Sequence, residues 1–425
     1  MSDWKDSIPD LSPEHRDLLR VLRAAADGHA PDEPPTDWAT VLDLAALHQV
    51  DGFLYPQVRE WAPVCQPAAP LMARWRTSFL GAASLYTRVA FQAHELLATL
   101  TAAGVRVIPL KGIWLAERVY QDGACRPMSD IDLLVSAEEL PRARTAIERL
   151  GYSTTDFYLS ETSDNHVRYQ RPDRPLPIEL HWSLWHAGNE AVDKPDLTQA
   201  WTGLHEEILH GVSVPVFPPE RQLVCLTQHI LKHTLTVPLK AYLDLVLLCR
   251  TYASEFDLAR LNDEARAWRV EFGTRFVLQA AFDIRGGRLP ASLTSFLPSG
   301  DRCEEAGSAA LCAALQLSSE SRLITPALEA FHHTSGFRRL RIALGRVLLP
   351  PVEIRSGCAP GARRFGLAGG YVWRCADLIR RHGRAWRKAA GDGTVTDADL
   401  ANFSTRQALS AWIRAQEPRA VVSQQ

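Results

Sequence analysis

The sequence has little lysine, no paired cysteines and no long apolar run. Of its 47 basic residues only six are lysine, so a lysine inside a motif stands out against a preference for arginine. Its eight cysteines are scattered without a C-x-x-C pair, which excludes a zinc ribbon and favours reduced thiols. The N-terminus is acidic, and no apolar stretch reaches about 18 residues. We therefore expect a cytoplasmic protein with no signal peptide and no membrane span.

A strong net charge is also missing. The chain has 47 basic and 49 acidic side chains, which gives a net charge of −2 at pH 7. This balance excludes a protein that coats nucleic acid or an anionic membrane with its whole surface. The segment 337–388 departs from the average, because it contains 13 basic and only two acidic residues. This basic segment predicts contact with an anionic partner, although solvated helix faces packed against an acidic part of the chain would also explain it.

Several common catalytic motifs are absent. The sequence contains no G-x-S-x-G, no G-x-x-x-x-G-K-[ST] and no G-x-G-x-x-G. His229 and His233 are four residues apart, but Ile230 stands where the zinc-protease motif H-E-x-x-H requires glutamate. These patterns give no support to nucleophilic catalysis, a P-loop, a dinucleotide site or a zinc protease.

What is present is a chain of 425 residues, 46% hydrophobic, which is long enough for two or three domains with their own cores. Apolar residues recur at helical spacing through 1–103, which we expect to be an N-terminal helical region. Residues 104–215 predict a core that mixes strands and helices. A further helical domain is expected over 216–300, and a basic helical C-terminal region over 301–425. The fold class is therefore α+β.

The core has a recognisable order of elements. A short β-branched run at 105–110, a helical stretch at 111–120 and a second strand at 130–135 come first. After a helix, three extended pieces between 152 and 182 have the spacing of an antiparallel meander. The proline-rich segment 213–220 then marks a break before the helical domain.

Asp130 and Asp132 stand at alternate positions of the second strand. Side chains alternate between the two faces of a strand, so both carboxylates point the same way. Two adjacent carboxylates repel each other unless a cation neutralises them, and hard oxygen ligands suit Mg²⁺ bound to substrate phosphates. A solvated strand end would produce the same pair, so these two residues need further context.

That context comes from three motifs: LKGIWLAERVY at 110–120, R-x-x-SDIDLLV at 126–135 and IELHW at 178–182. Together they resemble the nucleotidyltransferase fold of the DNA polymerase beta superfamily. More closely, they resemble the bacterial family labelled uncharacterised nucleotidyltransferase, over roughly residues 35–285. The resemblance implies a mixed sheet with helices, flanked by N-terminal and C-terminal helical regions. It also implies that 104–215 is the nucleotidyltransferase catalytic core and that the helical domain over 216–300 completes its cleft.

The resemblance also implies roles for three acids. Asp130 and Asp132 would hold Mg²⁺, with two ions expected and Mn²⁺ as an alternative, against a nucleoside triphosphate. Glu179 would be the third carboxylate and would activate an acceptor hydroxyl. Three carboxylates agree with the chemistry of two-metal phosphoryl displacement. An ordinary charge on an edge strand is the other explanation for Glu179.

Basic and small residues near the acids are candidates for phosphate contacts. The broader superfamily shows Gly-Ser where this chain has Lys111 and Gly112, which match the narrower family. A glycine that opens a helix lets backbone N–H groups approach a phosphate, and Lys111 would add a point charge. Lys111 could equally be an ordinary residue at a helix start. Arg126 either reaches a phosphate or pairs with an acid, and spacing does not separate the two.

His229, His233 and Asp244 are the remaining candidates. The resemblance suggests that their helices line the cleft opposite the carboxylates and touch the nucleotide or the acceptor. The histidines could instead be polar residues at a domain junction. Asp244 lies in an apolar helix, where an unpaired buried acid would be costly. His181, beside Trp182, is assigned to packing or to the rim of the cleft.

These observations predict a Mg²⁺-dependent nucleotidyltransferase that moves a nucleoside monophosphate, by default AMP, from a nucleoside triphosphate to an acceptor hydroxyl. Pyrophosphate would leave. The acceptor would be a small molecule, a peptide or a protein. Three alternatives stay open: transfer of another phosphate-activated group such as a glycosyl unit, tailoring of a peptide natural product, and nucleotide or partner binding without catalysis.

Overall fold

The computed structural model describes residues 11–154, 165–184, 197–235, 237–284, 301–315, 366–391 and 397–417, together with a few isolated positions. The first half of the chain contains helices α1 (Pro13–Asp27), α2 (Trp38–Leu47), α3 (Asp51–Val58), α4 (Ala69–Ala102), α5 (Gly112–Arg118) and α6 (Leu140–Arg149). The second half contains α7 (Pro219–Lys232), α8 (Leu239–Thr251), α9 (Leu258–Ala267), α10 (Glu271–Ile284), α11 (Asp301–Leu315), α12 (Gly366–Gly391) and α13 (Asp397–Gln416). The described strands are β1 (Ile108–Pro109), β2 (Ile131–Leu134), β3 (His166–Tyr169), β4 (Ile178–His181), β5 (His205–Leu209) and β6 (Val212–Val216).

The N-terminal part is helical, as its apolar periodicity predicts. Helix α1 begins where the Ser12 side chain accepts a hydrogen bond from the His15 N–H, and it ends at Gly28 with a φ of 80°. Helix α3 lies within this expected helical region, although its eight residues include Pro56 and show no clear amphipathic pattern. Helix α4 buries Leu96 and Leu97 near its C-terminal end.

Strands β1 to β4 form one mixed sheet in the order β1-β2-β4-β3. The two central strands, β2 and β4, are parallel, whereas β1 and β3 pair antiparallel with their neighbours. Ile131, Leu133, Ile178 and Leu180 are fully buried and anchor the central pair in the core. The α+β fold class is confirmed.

The meander expected between 152 and 182 is only partly correct. Strands β3 and β4 pair antiparallel, and Ser153 makes an isolated bridge to Gln170. Residues 155–164 lie outside the described residues. Strand β4 also pairs in parallel with β2, a long-range contact that no local spacing encodes.

The proline-rich break expected at 213–220 is partly wrong, because it includes most of strand β6. Strands β5 and β6 form a hairpin whose turn, His210 and Gly211, has positive φ angles of 49° and 78°. Two positive φ angles are typical of the tight turns that match strand twist. Pro215 is tolerated because a two-stranded ribbon leaves one side of each strand unpaired.

The region after 218 is helical within the described residues, as expected. Helix α10 packs against α7, α8, α11 and α13. Arg221 on α7 pairs with Glu264 on α9 at 2.7 Å, which fixes these two helices relative to each other. Much of the basic segment 337–388 falls outside the described residues. The bounds of the four expected domains stay predictions.

Across the part of the chain that the structure describes, none of the helices combines the length and the apolar character needed to cross a bilayer.

Candidate active site

A cleft of about 480 Å³ lies between the sheet and helices α7 and α8. It brings together residues that the sequence spreads from 111 to 244. All nine of the predicted site residues line it: Lys111, Gly112, Arg126, Asp130, Asp132, Glu179, His229, His233 and Asp244.

The acids come from the two parallel strands at the centre of the sheet. Asp132 on β2 and Glu179 on β4 are register partners. Neighbouring residues of paired strands project to the same side, so both carboxylates face the cleft. Asp130 immediately precedes β2 and also lines the cleft. Asp132 is buried, whereas Asp130 and Glu179 are partly accessible.

Asp132 is held by two basic groups. The His181 Nε2 lies 2.9 Å from its Oδ1, and the Lys111 Nζ lies 3.5 Å from its Oδ2. Burial works against a charged carboxylate here, but Lys111 and His181 outweigh it and lower the pKa of Asp132 below its ordinary value. Asp132 is therefore ionised at neutral pH and fixed in orientation.

Glu179 and Asp130 have the opposite behaviour. Burial, followed by the charges of Asp132 and Asp130, raises the pKa of Glu179 to about 7. Burial and the charge of Asp132 also raise the pKa of Asp130. Crowded carboxylates that resist ionisation are stabilised by a cation placed among them.

The turn between β1 and α5 carries Lys111 into the cleft. Lys111 has a φ of 43° and a ψ of −104°, a backbone conformation that glycine adopts far more easily than other residues. At Gly112, a Cβ atom would lie 2.9 Å from the Met128 Sδ and 3.4 Å from an Arg126 nitrogen. An alanine at this position would therefore displace the Met128 side chain. Helix α5 is only seven residues long, and the approach of its backbone to a phosphate stays a prediction.

Arg126 pairs with an acid, one of the two options that spacing left open, and that acid is Asp244. Its Nε and Nη2 donate to the two Asp244 oxygens at 3.0 and 2.8 Å. The Tyr120 hydroxyl also donates to Asp244, at 2.8 Å. Both charged side chains are almost fully buried. Because Asp244 is paired with Arg126, it is not the unpaired buried acid that would destabilise an apolar helix. The pair also links the segment before β2 to α8. Contact of Asp244 or Arg126 with a nucleotide stays a prediction.

The wall of the cleft formed by α7 and α8, opposite the sheet, carries basic side chains. The rings of His229 and His233 are 4.6 Å apart at the end of α7, and Lys232 lies between them in sequence. Burial, then the charges of Lys111 and His233, lower the pKa of His229 well below its ordinary value. At the start of α8, the Lys240 Nζ donates to the Pro127 carbonyl at 2.8 Å. Lys111, Lys232 and Lys240 are thus three of the chain's six lysines, all in one cleft.

Sequence reasoning missed His166, Lys232 and Lys240 as lining residues, and it assigned His181 to packing or the rim. His181 is indeed buried, but its Nε2 contacts the cleft carboxylate Asp132. A signal was available, because residues two apart on a strand share a face and Glu179 was already a candidate. The lysines could have been suspected from their scarcity alone.

The donor set fits a divalent cation. Within the described residues, Asp132, Glu179 and His181 each offer a ligand atom, and these atoms lie within 4.8 Å of one another. Asp130 adds a further carboxylate to the same cleft. Carboxylate oxygens suit Mg²⁺ or Mn²⁺. The mutual repulsion of these acids is the observation that a cation would relieve.

Among solved structures, that of the antibiotic-resistance factor ANT(2'')-Ia is similar over 44% of this chain and 94% of that chain, with 16% identity and a TM-score of 0.32. A similarity this distant says nothing about what the present chain binds. No curated protein shows significant similarity to the sequence. The model of the family described as uncharacterised nucleotidyltransferase matches residues 34–284, more than half of the chain and the whole of the described cleft. The chain therefore belongs to this family and is a nucleotidyltransferase.

Proposed function

We propose that this nucleotidyltransferase moves AMP from ATP to an acceptor hydroxyl with the help of Mg²⁺ bound at the three acids. The observation that carries the proposal is the composition of the cleft. Three carboxylates, Asp130, Asp132 and Glu179, line the sheet side, and lysines line the same space. A metal–triphosphate complex has a cationic centre and an anionic tail, so it needs both kinds of residue.

Asp132 is suited to act as a permanently charged metal ligand. Its two oxygens contact His181 and Lys111, yet a carboxylate has about four lone-pair positions and can accept further partners. Because its pKa is lowered, it does not need to lose a proton before it binds a cation. Asp130, two residues earlier in the chain, would be the second carboxylate ligand. A bound divalent cation would supply charge neutralisation at the reacting phosphate.

The lysines are suited to hold the triphosphate tail. Lys111 lies beside Asp132, and Lys240 is held at the cleft edge by the Pro127 carbonyl. An ammonium group acts as a point charge on phosphate oxygens. We infer that Lys111 contacts the β- or γ-phosphate and that Lys232 and Lys240 approach the departing pyrophosphate.

Glu179 is suited to assist the acceptor. Its carboxylate faces the cleft beside Asp132, where it can accept the hydroxyl proton. The acceptor oxygen then forms a bond to the α-phosphorus, the bond from that phosphorus to the bridging oxygen breaks, and pyrophosphate leaves. The acceptor is left carrying a nucleoside monophosphate through a phosphodiester bond.

Turnover of α-labelled nucleotide tests the proposal. The purified full-length protein is incubated with Mg²⁺, each [α-³²P]NTP in turn, and separate acceptor pools of sugars, peptides and proteins. We expect label from ATP in an acid-stable product, together with one pyrophosphate per transfer. The double variant Asp130→Asn, Asp132→Asn should lose this signal, whereas Glu138→Gln, an exposed acid outside the cleft, should keep it.

Other outcomes would identify the alternatives. Release of a nucleoside diphosphate from a supplied nucleotide sugar, with the sugar moved to the acceptor and no transfer of the α-label, would favour a different transferred group. Tight nucleotide binding with no turnover in any acceptor pool would favour a binding protein. Unchanged transfer in the double variant would overturn the assignment of the acids.

A further inference from the structure

The cleft contains an imidazole where a magnesium site would need only oxygen ligands. His181 follows Glu179 by two residues on β4, so it projects to the same face of the sheet. Only 5% of its surface is exposed, and its Nε2 is directed at the acids. That atom lies 2.9 Å from the Asp132 Oδ1 and 3.7 Å from the Glu179 Oε2. It therefore faces the space between two carboxylates from different strands.

Either nitrogen of the His181 ring can carry the proton. The His181 Nδ1 is buried and has no hydrogen-bond partner among the described residues. In the metal-free protein the Nε2–H can donate to Asp132. A neutral imidazole binds a metal through the nitrogen that lacks the proton, so a cation at Asp132 and Glu179 would bind Nε2 while Nδ1 carries the proton.

The ligand type decides which cation is preferred. Mg²⁺ takes oxygen ligands and keeps several waters, whereas imidazole nitrogen is a good ligand for first-row transition metals. The described Asp-Glu-His group, with its ligand atoms within 4.8 Å of one another, is a mixed nitrogen and oxygen set. It matches Mn²⁺ better than Mg²⁺.

We propose that His181 is a direct metal ligand through Nε2 and that it gives the cleft a preference for Mn²⁺ over Mg²⁺. The inference deepens the proposed function, on which its biological meaning rests, by naming the cation that this chain's own residues select. Asp132, Glu179 and His181 bind the ion together, with Asp130 free to bind a second one. His181 thus makes the site different from one built only of carboxylates.

Pulsed electron paramagnetic resonance on the protein with Mn²⁺ alone tests the proposal. The ¹⁴N nucleus of a coordinated imidazole modulates the Mn²⁺ electron spin echo, so the wild-type protein should show this modulation without any nucleotide. His181→Gln is the informative variant, because its amide can still donate to Asp132 but offers no imidazole ligand. We expect this variant to lose the ¹⁴N modulation and to bind Mn²⁺ at least about tenfold more weakly. Its Mg²⁺ affinity should change by less than about threefold.

His166→Gln is the matched control. His166 lies on β3, with its Nε2 3.9 Å from the Glu179 Oε2 and its ring 5.0 Å from that of His181. The ¹⁴N modulation should persist in this variant. Circular dichroism and thermal unfolding of both variants establish that they are folded before metal is added.

Three results would overturn the proposal. They are the absence of ¹⁴N modulation in the wild type, its persistence in folded His181→Gln, and its loss in His166→Gln alone. Because no nucleotide or acceptor is present, these results are independent of turnover. A protein that shows the modulation but transfers no nucleotide would refute the proposed function and leave the metal assignment intact.

Discussion

Asp132 and Glu179 are register partners on adjacent parallel strands, and so two acids from distant parts of the chain face one cleft. Strand β3, on the outer side of β4, brings His166 to within 3.9 Å of Glu179 as well. The sheet therefore fixes the spacing of the acids through backbone hydrogen bonds rather than through flexible loops. Chemistry that needs carboxylates at a defined separation is well served by such a scaffold.

Removing one acid should stabilise the metal-free protein while it impairs catalysis. Glu179 is crowded by Asp132 and Asp130, which disfavour its ionised form. In EDTA at pH 8, Glu179→Gln removes this repulsion, and we expect the free energy of unfolding to rise by about 1 kcal/mol. Urea denaturation measures it. Glu138→Gln, at an exposed position, should change stability by less than about 0.5 kcal/mol.

The higher free energy of unfolding expected for Glu179→Gln in EDTA should disappear when a divalent cation is added. The wild type gains stability from binding the ion, whereas Glu179→Gln lacks one ligand and gains less. A Glu179→Gln protein that is less stable than wild type in EDTA would show that the acids do not repel one another as described.

The buried Arg126–Asp244 pair should be essential for stability. Asp244→Asn leaves a nearly fully buried guanidinium without its charged partner, and we expect a loss of about 3–5 kcal/mol. The double variant Arg126→Met, Asp244→Leu should recover a large part of that loss, since it leaves no unpaired charge. Chemical denaturation of the wild type and the two variants measures the loss of stability and its recovery.

The exposed pair Arg59–Glu60 supplies the comparison for that experiment. Its atoms are 3.0 Å apart, but both side chains are more than half exposed. Arg59→Ala should cost less than about 1 kcal/mol. Equal effects of Arg59→Ala and Asp244→Asn would contradict the structural role assigned to Arg126.

Gly112→Ala should destabilise the protein by crowding Met128. The added Cβ would stand 2.9 Å from the Met128 Sδ, so we expect a loss of about 1–3 kcal/mol. The double variant Gly112→Ala, Met128→Ala should be less destabilised than the sum of the single changes. Gly81→Ala on α4, where no atom lies within 4 Å of the new Cβ, should instead stabilise by about 0.5–1 kcal/mol. Thermal or urea unfolding distinguishes these cases, and additivity of the two site changes would count against the contact.

Two substitutions of Lys111 should differ in stability but not in their affinity for ATP. Its φ of 43° and ψ of −104° favour glycine, so Lys111→Gly should be about 1–2 kcal/mol more stable than Lys111→Ala. Both variants lack the ammonium and should bind ATP equally poorly. Matched stabilities of the two variants would show that the turn is not strained, and matched wild-type affinity would show that Lys111 does not contact the nucleotide.

Much of the fold and the cleft lining could be predicted because the signals are local. Alternation around Asp130 and Asp132 identifies a strand, and apolar periodicity identifies α4 and the helices after 218. All nine predicted residues do line one cleft. Their individual roles stay predictions, since lining a cleft does not by itself establish chemistry.

Features that depend on contacts between distant segments could not be predicted from the sequence. The parallel pairing of β2 with β4, which sets Asp132 opposite Glu179, joins segments separated by a helix and β3. The Arg126–Asp244 bond crosses from the sheet region to α8. The role of His181 depends on which carboxylate lies next to it, and that carboxylate comes from another strand. The hairpin of β5 and β6 was not predicted, because the prolines in and after β6 were interpreted as a break.

Under the proposed function, the acids and lysines of the cleft form one site for a metal-bound nucleoside triphosphate. Calorimetric titration of the full-length protein with a non-hydrolysable ATP analogue, in Mg²⁺, in Mn²⁺ and in EDTA, measures this binding without an acceptor. We expect binding that depends on the cation and is lost in the Asp130→Asn, Asp132→Asn variant. Equal affinity in EDTA and in metal, or unchanged affinity in that variant, would contradict it.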